Sequence, residues 1–141
     1  MKMTTMMTYK FYDTSALIEK ESFFPDEQII ISSITLEELE RLKTSNTIVE
    51  DLRYAVRHVL NLIDTNPDTV HYIIYEQLLM EPFKSYSGDW NNDLKIIACA
   101  KSFLDAHPEG FFITNDRSQR LLAKHLIPVH ANHIISEERV A

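Results

Sequence analysis

The chain has 141 residues, 45% of them hydrophobic, enough apolar material for one core and not for two. A single domain is expected over 1–141, with its core at 9–131 and frayed ends at 1–8 and 136–141. The 14 basic and 21 acidic residues leave a net charge of −7, which argues against a nucleic-acid binder of the ordinary basic kind. Apolar runs fall far short of the roughly 18 residues of a membrane span, and the opening segment MKMTTMMTYK lacks the continuous apolar core of a signal peptide. A cytoplasmic protein with no membrane partner is therefore expected. Cys99 is the only cysteine, so no intrachain disulfide forms, and its place inside the apolar segment IIACA suits buried packing.

In chain order, KFY at 10–12 predicts a short strand that breaks at Asp13, and the isoleucine-rich QIIISS at 28–33 a fully buried one. Ile34, Leu36, Leu39 and Leu42 recur at helical spacing, so a helix is expected to open around Thr35. After a loop at 44–46, Leu52, Val56, Val59, Leu60 and Ile63 form the stripe of a helix over 49–64, which Asn66-Pro67 ends. VHYIIY at 70–75 predicts a third strand, and the mixed segment after it a short helix and a loop broken at Gly88. Ile96, Ile97, Ala100, Phe103 and Leu104 mark a helix over 93–104, followed by a turn at 107–110. FFIT at 111–114 reads as a fourth buried strand, 117–125 as a helix with Leu121 and Leu122 inward, and IPVH at 127–130 as a last strand. Strands alternating with helices imply right-handed crossovers, hence a three-layer α/β/α fold around a parallel sheet of about five strands.

Asp13, Glu38, Asp93 and Asp116 each follow an apolar strand-like run or open a predicted helix. In a parallel sheet the carboxyl ends of the strands share one edge, and open α/β sheets bind ligands in the crevice outside it. Four carboxylates there would make an oxygen-only site for a hard cation such as Mg²⁺ or Mn²⁺. Such ions can clamp the attacking and leaving oxygens of a phosphodiester hydrolysis. Each acid also has a purely structural explanation. Asp13 and Asp116 fit helix N-caps, Thr35 to Glu38 and Asp116 to Gln119 have capping-box spacing, and Asp93 suits the first turn of a helix dipole. Glu37 and Asp89 are neighbouring acids that spacing alone does not exclude. Joint occurrence sets the four apart, because carboxylates crowded together without cations repel. Lys10, Lys20, Arg41, Lys43, Lys95, Arg117, Arg120 and Lys124 lie within about two helical turns of them in sequence and would supply a basic rim.

Other chemistries find less support. Only Gly88 and Gly110 are glycines, so there is no Gly-rich phosphate cradle and no dinucleotide fingerprint. His130 and His133 are close in sequence, but a zinc site takes three or four ligands. Ser15 has no histidine base near it in the chain. Phe83, Tyr86 and Trp90 could stack the bases of a single strand, although loop aromatics more commonly close over a core.

YDTSAL at Asp13, ITLEELERLK around Glu38, NNDLKIIACA with Asp93 and FFITNDRSQRLLAK around Asp116 together resemble the PIN-domain family of nucleases, from about Lys10 to His130. The motifs are short, and their order and spacing carry the resemblance. It implies Mg²⁺- or Mn²⁺-dependent cleavage of single-stranded RNA. Asp13, Glu38, Asp93 and Asp116 would be the catalytic, metal-holding quartet, Ser15 and Thr114 or Asn115 the polar residues beside it, and a metal-activated water the nucleophile. LEELERLK is more similar to PIN domains joined to PhoH-type ATPases than to small VapC toxins, which match in length. An ATPase domain or an antitoxin are accordingly the protein partners implied, and a symmetric homodimer is the commonest assembly.

Two rivals stand beside this reading. Asp13-Thr14-Ser15 after a first strand is also similar to haloacid dehalogenase-like phosphatases, but those carry an acid where this chain has Ser15, and receiver domains need one ending the third strand, where it has Tyr75-Glu76. The stronger rival is a catalytically inactive PIN-like module that binds RNA or protein, since cleavage needs positioning to within an ångström and motifs do not report it.

Overall fold

The computed structural model describes residues 7–137. Strands β1 (Thr8–Tyr12), β2 (Glu27–Ser32), β3 (Val70–Ile73), β4 (Phe111–Ile113) and β5 (Ile134–Ile135) form one sheet in the order β3-β2-β1-β4-β5. Every pairing is parallel, so the carboxyl ends of all five strands lie along one edge. Helices α1 (Thr14–Ile18), α2 (Ser33–Leu42), α3 (Glu50–Thr65), α4 (Asn92–Ala106) and α5 (Arg117–Leu126) supply the outer layers, with 3₁₀ turns at Gln77–Phe83 and Pro128–His133.

Strand alternation divides the core into two. Phe11, Ile30 and Phe112 point toward the layer that holds α4 and α5, whereas Tyr12, Ile29, Ile31 and Ile113 pack with Leu17, Leu39, Val56 and Val59 on the other face. The central strand β1 therefore buries Phe11 on one face and Tyr12 on the other, so the chain reaches Asp13 between two cores. On α4 the run from Ile96 to Ala100 is buried without interruption, which explains why its sequence is apolar nearly all round. Cys99 lies within that run, and burial pushes its thiol up to about 12. It is expected to resist thiol reagents in the native chain and to react at the rate of global unfolding; fast labelling at neutral pH would contradict this packing.

Several boundaries differ from those the pattern predicts. The last strand is Ile134–Ile135 rather than 127–130, because Pro128 lacks a donor and fixes φ, which suits the first position of a 3₁₀ turn. β3 stops at Ile73, and the Tyr75 N–H donates to Ser33 Oγ at 2.8 Å instead of to the sheet. Leu121 is 61% exposed: the buried positions of α5 are Gln119 and Ala123, and Leu121 falls off that stripe. As for the ends, Thr8 lies in β1 and both Ser136 and Glu137 are hydrogen-bonded to Asn115, while 1–6 and 138–141 lie outside the described residues.

Candidate functional site

Asp13 follows β1 and caps α1, its Oδ1 accepting the Ala16 N–H at 2.9 Å and the Ser15 hydroxyl at 3.0 Å. Asp116 follows β4 and caps α5, its Oδ1 accepting the Gln119 N–H at 3.1 Å. The two turns are stitched together, since the Asp13 N–H donates to the Ile113 carbonyl at 3.0 Å. Capping is thus present at both positions, and it fixes the rotamer of each carboxylate through one oxygen.

Glu38 and Asp93 have no such part in the fold. Helix α2 is capped by Ser32, whose Oγ accepts the Thr35 N–H at 3.0 Å, so the box expected from Thr35 to Glu38 does not form. The strand runs straight into the helix, two residues earlier than the apolar spacing suggests. Glu38 instead accepts the Thr14 hydroxyl at 2.7 Å, and Thr14 Oγ1 is 3.1 Å from Thr35 Oγ1. Helix α4 is capped by Asn91 through the Leu94 N–H at 3.0 Å, which leaves Asp93 in the first turn with no capping role.

All four acids line one cavity of about 230 Å³, together with Thr14, Ser15, Ile18, Ile96 and Gln119. Size does not single it out, because a groove of about 620 Å³ lies between α2, α3 and β3. Its lining chemistry does. Asp13 is only 5% exposed, and burial raises its pKa against the Thr114 hydroxyl, the Ala16 N–H and the Ser15 hydroxyl, with the charge of Asp116 adding to the rise. Burial and then the charge of Asp116 raise the pKa of Asp93 as well. Anionic oxygens held in each other's field are the donor set that a hard divalent cation relieves. Among the described residues, no three or more His, Cys, Asp or Glu side chains meet as a ready-made cage.

The polar residues expected beside the quartet separate in space. Thr114 is fully buried next to Asp13, and its Oγ1 accepts the Asp116 N–H at 3.3 Å; Ser15 lines the cavity. Asn115 turns away from the acids. Its amide donates to Glu19 at 2.6 Å and accepts from the Ser136 hydroxyl and the Glu137 N–H, tying the end of β5 to α1. Thr14 and Gln119 are the cavity residues that sequence reasoning passed over. The only signals were a hydroxyl next to Asp13 and a capping-box match whose side chain turns out to go elsewhere. Much of the expected basic rim is engaged: Lys10 and Lys20 pair with Glu27, Lys43 with Glu40, and Arg120 with the Thr114 carbonyl. Lys95, two residues past Asp93, lies 5.3 Å from the centre of the Tyr75 ring. Phe83 is buried, whereas Trp90 is 41% exposed.

A family model described as the PIN domain matches residues 11–130, and the chain belongs to that family, whose members are generally nucleases. Among solved structures, a domain of a functionally unknown protein from Methanocaldococcus jannaschii DSM 2661 is similar at TM-score 0.54 and 21% identity, over 95% of this chain and 92% of that one. VapBC2 from Rickettsia felis, bound to a DNA fragment from their promoter, is similar at TM-score 0.51 and 17% identity, over 92% of this chain and 98% of that one. At these identities the likeness is one of fold. No curated protein matches significantly.

Proposed function

We propose that the chain is a divalent-cation-dependent ribonuclease that hydrolyses phosphodiester bonds of single-stranded RNA at the cavity lined by Asp13, Glu38, Asp93 and Asp116. One observation carries the reading: acids from four separate segments line a single cavity, and two of them, Glu38 and Asp93, cap no helix. The four carboxylates would hold Mg²⁺ or Mn²⁺, which when bound lowers the pKa of the attacking water and offsets charge on the phosphate. The chain's own residues prepare the site. Helix caps hold Asp13 and Asp116 in fixed rotamers, the Thr14 hydroxyl orients Glu38, and buried Thr114 ties the Asp116 turn to Asp13. Ser15 lines the cavity and donates its hydroxyl to Asp13, a further bond that holds that carboxylate.

The likeness to VapBC2 makes an antitoxin-type partner part of the same proposal, and a homodimer or an ATPase domain are further partners it accommodates. A cytoplasmic setting is consistent with it: among the described residues no helix is long and apolar enough to cross a membrane. The carboxylates' failure to meet as a ready-made cage favours a second reading, an inactive module that binds RNA or protein. Labelled single-stranded RNA incubated with Mn²⁺, Mg²⁺ or EDTA separates them. Cutting is expected with either metal, and none in EDTA or from a folded Asp93→Asn, Asp116→Asn double variant. A folded, metal-supplied parent that leaves varied single strands intact would establish the binding module instead.

A further inference from the structure

We infer that Gln119 is a positioning residue of the metal site, holding the first turns of α4 and α5 at the separation that Asp93 and Asp116 need; this rests on the metal-site reading above. Among the described residues the buried polar side chains are Asp13, Glu27, Ser32, Thr35, Thr114, Gln119 and His130. Most serve the fold in plain ways. Glu27 pairs with two lysines, Ser32 and Thr35 close the start of α2, and His130 meets Asp105 at 2.7 Å. Gln119, 5% exposed, lines the acidic cavity itself.

A glutamine three residues after an N-cap ordinarily reaches back to the cap's own N–H. Here that N–H, of Asp116, is taken by Thr114 Oγ1 at 3.3 Å. The Gln119 amide is therefore released from capping and crosses to the neighbouring helix, where Nε2 donates to the Asp93 carbonyl at 3.0 Å. Its main-chain N–H meanwhile donates to the Asp116 carboxylate at 3.1 Å. One residue grips both acids, one through its carboxylate and the other through its backbone, although they belong to different helices. The tie must resist repulsion between them, and an amide does so without introducing charge: a lysine here would compete with the cation, and a glutamate could not donate while ionised. A donor to the backbone of Asp93 also leaves the Asp93 carboxylate oxygens available.

The test is Mn²⁺ binding by titration calorimetry to the full chain, for the parent, Gln119→Met, which keeps length without a donor, and Gln119→Ala, the best helix former at that position. The Mn²⁺ dissociation constant is expected to rise about 10-fold or more in both variants. The KM for RNA at saturating Mn²⁺ should stay at the parent value, a split that a general loss of structure would not produce. Unchanged Mn²⁺ affinity in a folded variant would overturn the inference, as would failure of both variants to fold, which would make Gln119 structural. A parent that binds no Mn²⁺ would overturn the metal-site reading itself, so the two failures are told apart.

Discussion

Asp13→Asn is expected to abolish cleavage while making the metal-free chain more stable. Asparagine caps helices as well as aspartate does, and its one oxygen can still accept the Ala16 N–H and the Ser15 hydroxyl. What disappears is a negative charge that is 5% exposed and lies in the field of Asp116. Because the folded state raises the pKa of Asp13, the fold binds its proton more tightly than the unfolded chain does. Ionised Asp13 therefore destabilises the fold fully above the raised pKa, and this penalty fades as pH falls through it toward the ordinary carboxyl range. The variant's gain should be largest at neutral pH, read as a higher Tm than the parent's, and vanish in acid. Activity should fall on the order of 100-fold or more, as for loss of a group acting directly on a reacting centre. Melting curves in EDTA at neutral and acid pH, beside initial rates in Mn²⁺, check both arms. A lower Tm at neutral pH would mean that the fold needs this charge, and unchanged activity would make Asp13 a cap and nothing more.

The largest loss of stability is expected from Glu27→Gln. Glu27 opens β2, is 2% exposed, and accepts Lys20 at 2.9 Å, Lys10 at 3.4 Å and the Phe24 N–H at 3.2 Å. Glu137 adds a second carboxylate, 2.6 Å from Lys10 and 3.0 Å from the Tyr12 hydroxyl, so two ammonium groups face two carboxylates. Burial, then Glu27 and Glu137, pushes the Tyr12 phenol far up, and it stays a neutral donor. Neutralising Glu27 takes the salt-bridge partner from Lys20, whose side chain is only 9% exposed. Removing one member of a buried pair leaves an uncompensated charge and costs about 3 kcal/mol, or roughly 10 °C in Tm. A loss below about 1 kcal/mol in urea titrations would show that water reaches Lys20. Glu137 adds a pH dependence. Burial raises its pKa, but the Lys10 and Tyr12 bonds and the Lys20 charge overcome this and hold it below the ordinary value. Its contribution is complete above the ordinary carboxyl pKa and is lost as pH falls through the lowered one. Since Glu137 also binds Asn115, next to Asp116, the same cluster anchors the turn that carries one acid of the site.

The amino-acid sequence by itself determined the class of fold and the short list of acids. The β-branched and aromatic runs at 28–33 and 111–114 pointed to buried strands and the stripe from Leu52 to Ile63 to a helix, because short length, residue type and periodicity report burial over a few neighbouring residues. Ends were less legible: Pro128 turned an expected strand into a 3₁₀ turn, and Ser32 rather than Thr35 proved to cap α2. Capping signals are degenerate, and which hydroxyl meets which N–H is settled by where the strand leaves the sheet. Tertiary structure alone decided which acids of the cavity also cap helices and which have no duty in the fold. It also moved Asn115 away from the quartet, and brought Thr14 to Glu38 and Gln119 to Asp93 across 24 and 26 residues of chain. Such partners depend on how whole helices lie against the sheet, a long-range outcome of core packing that leaves no periodic trace in the chain.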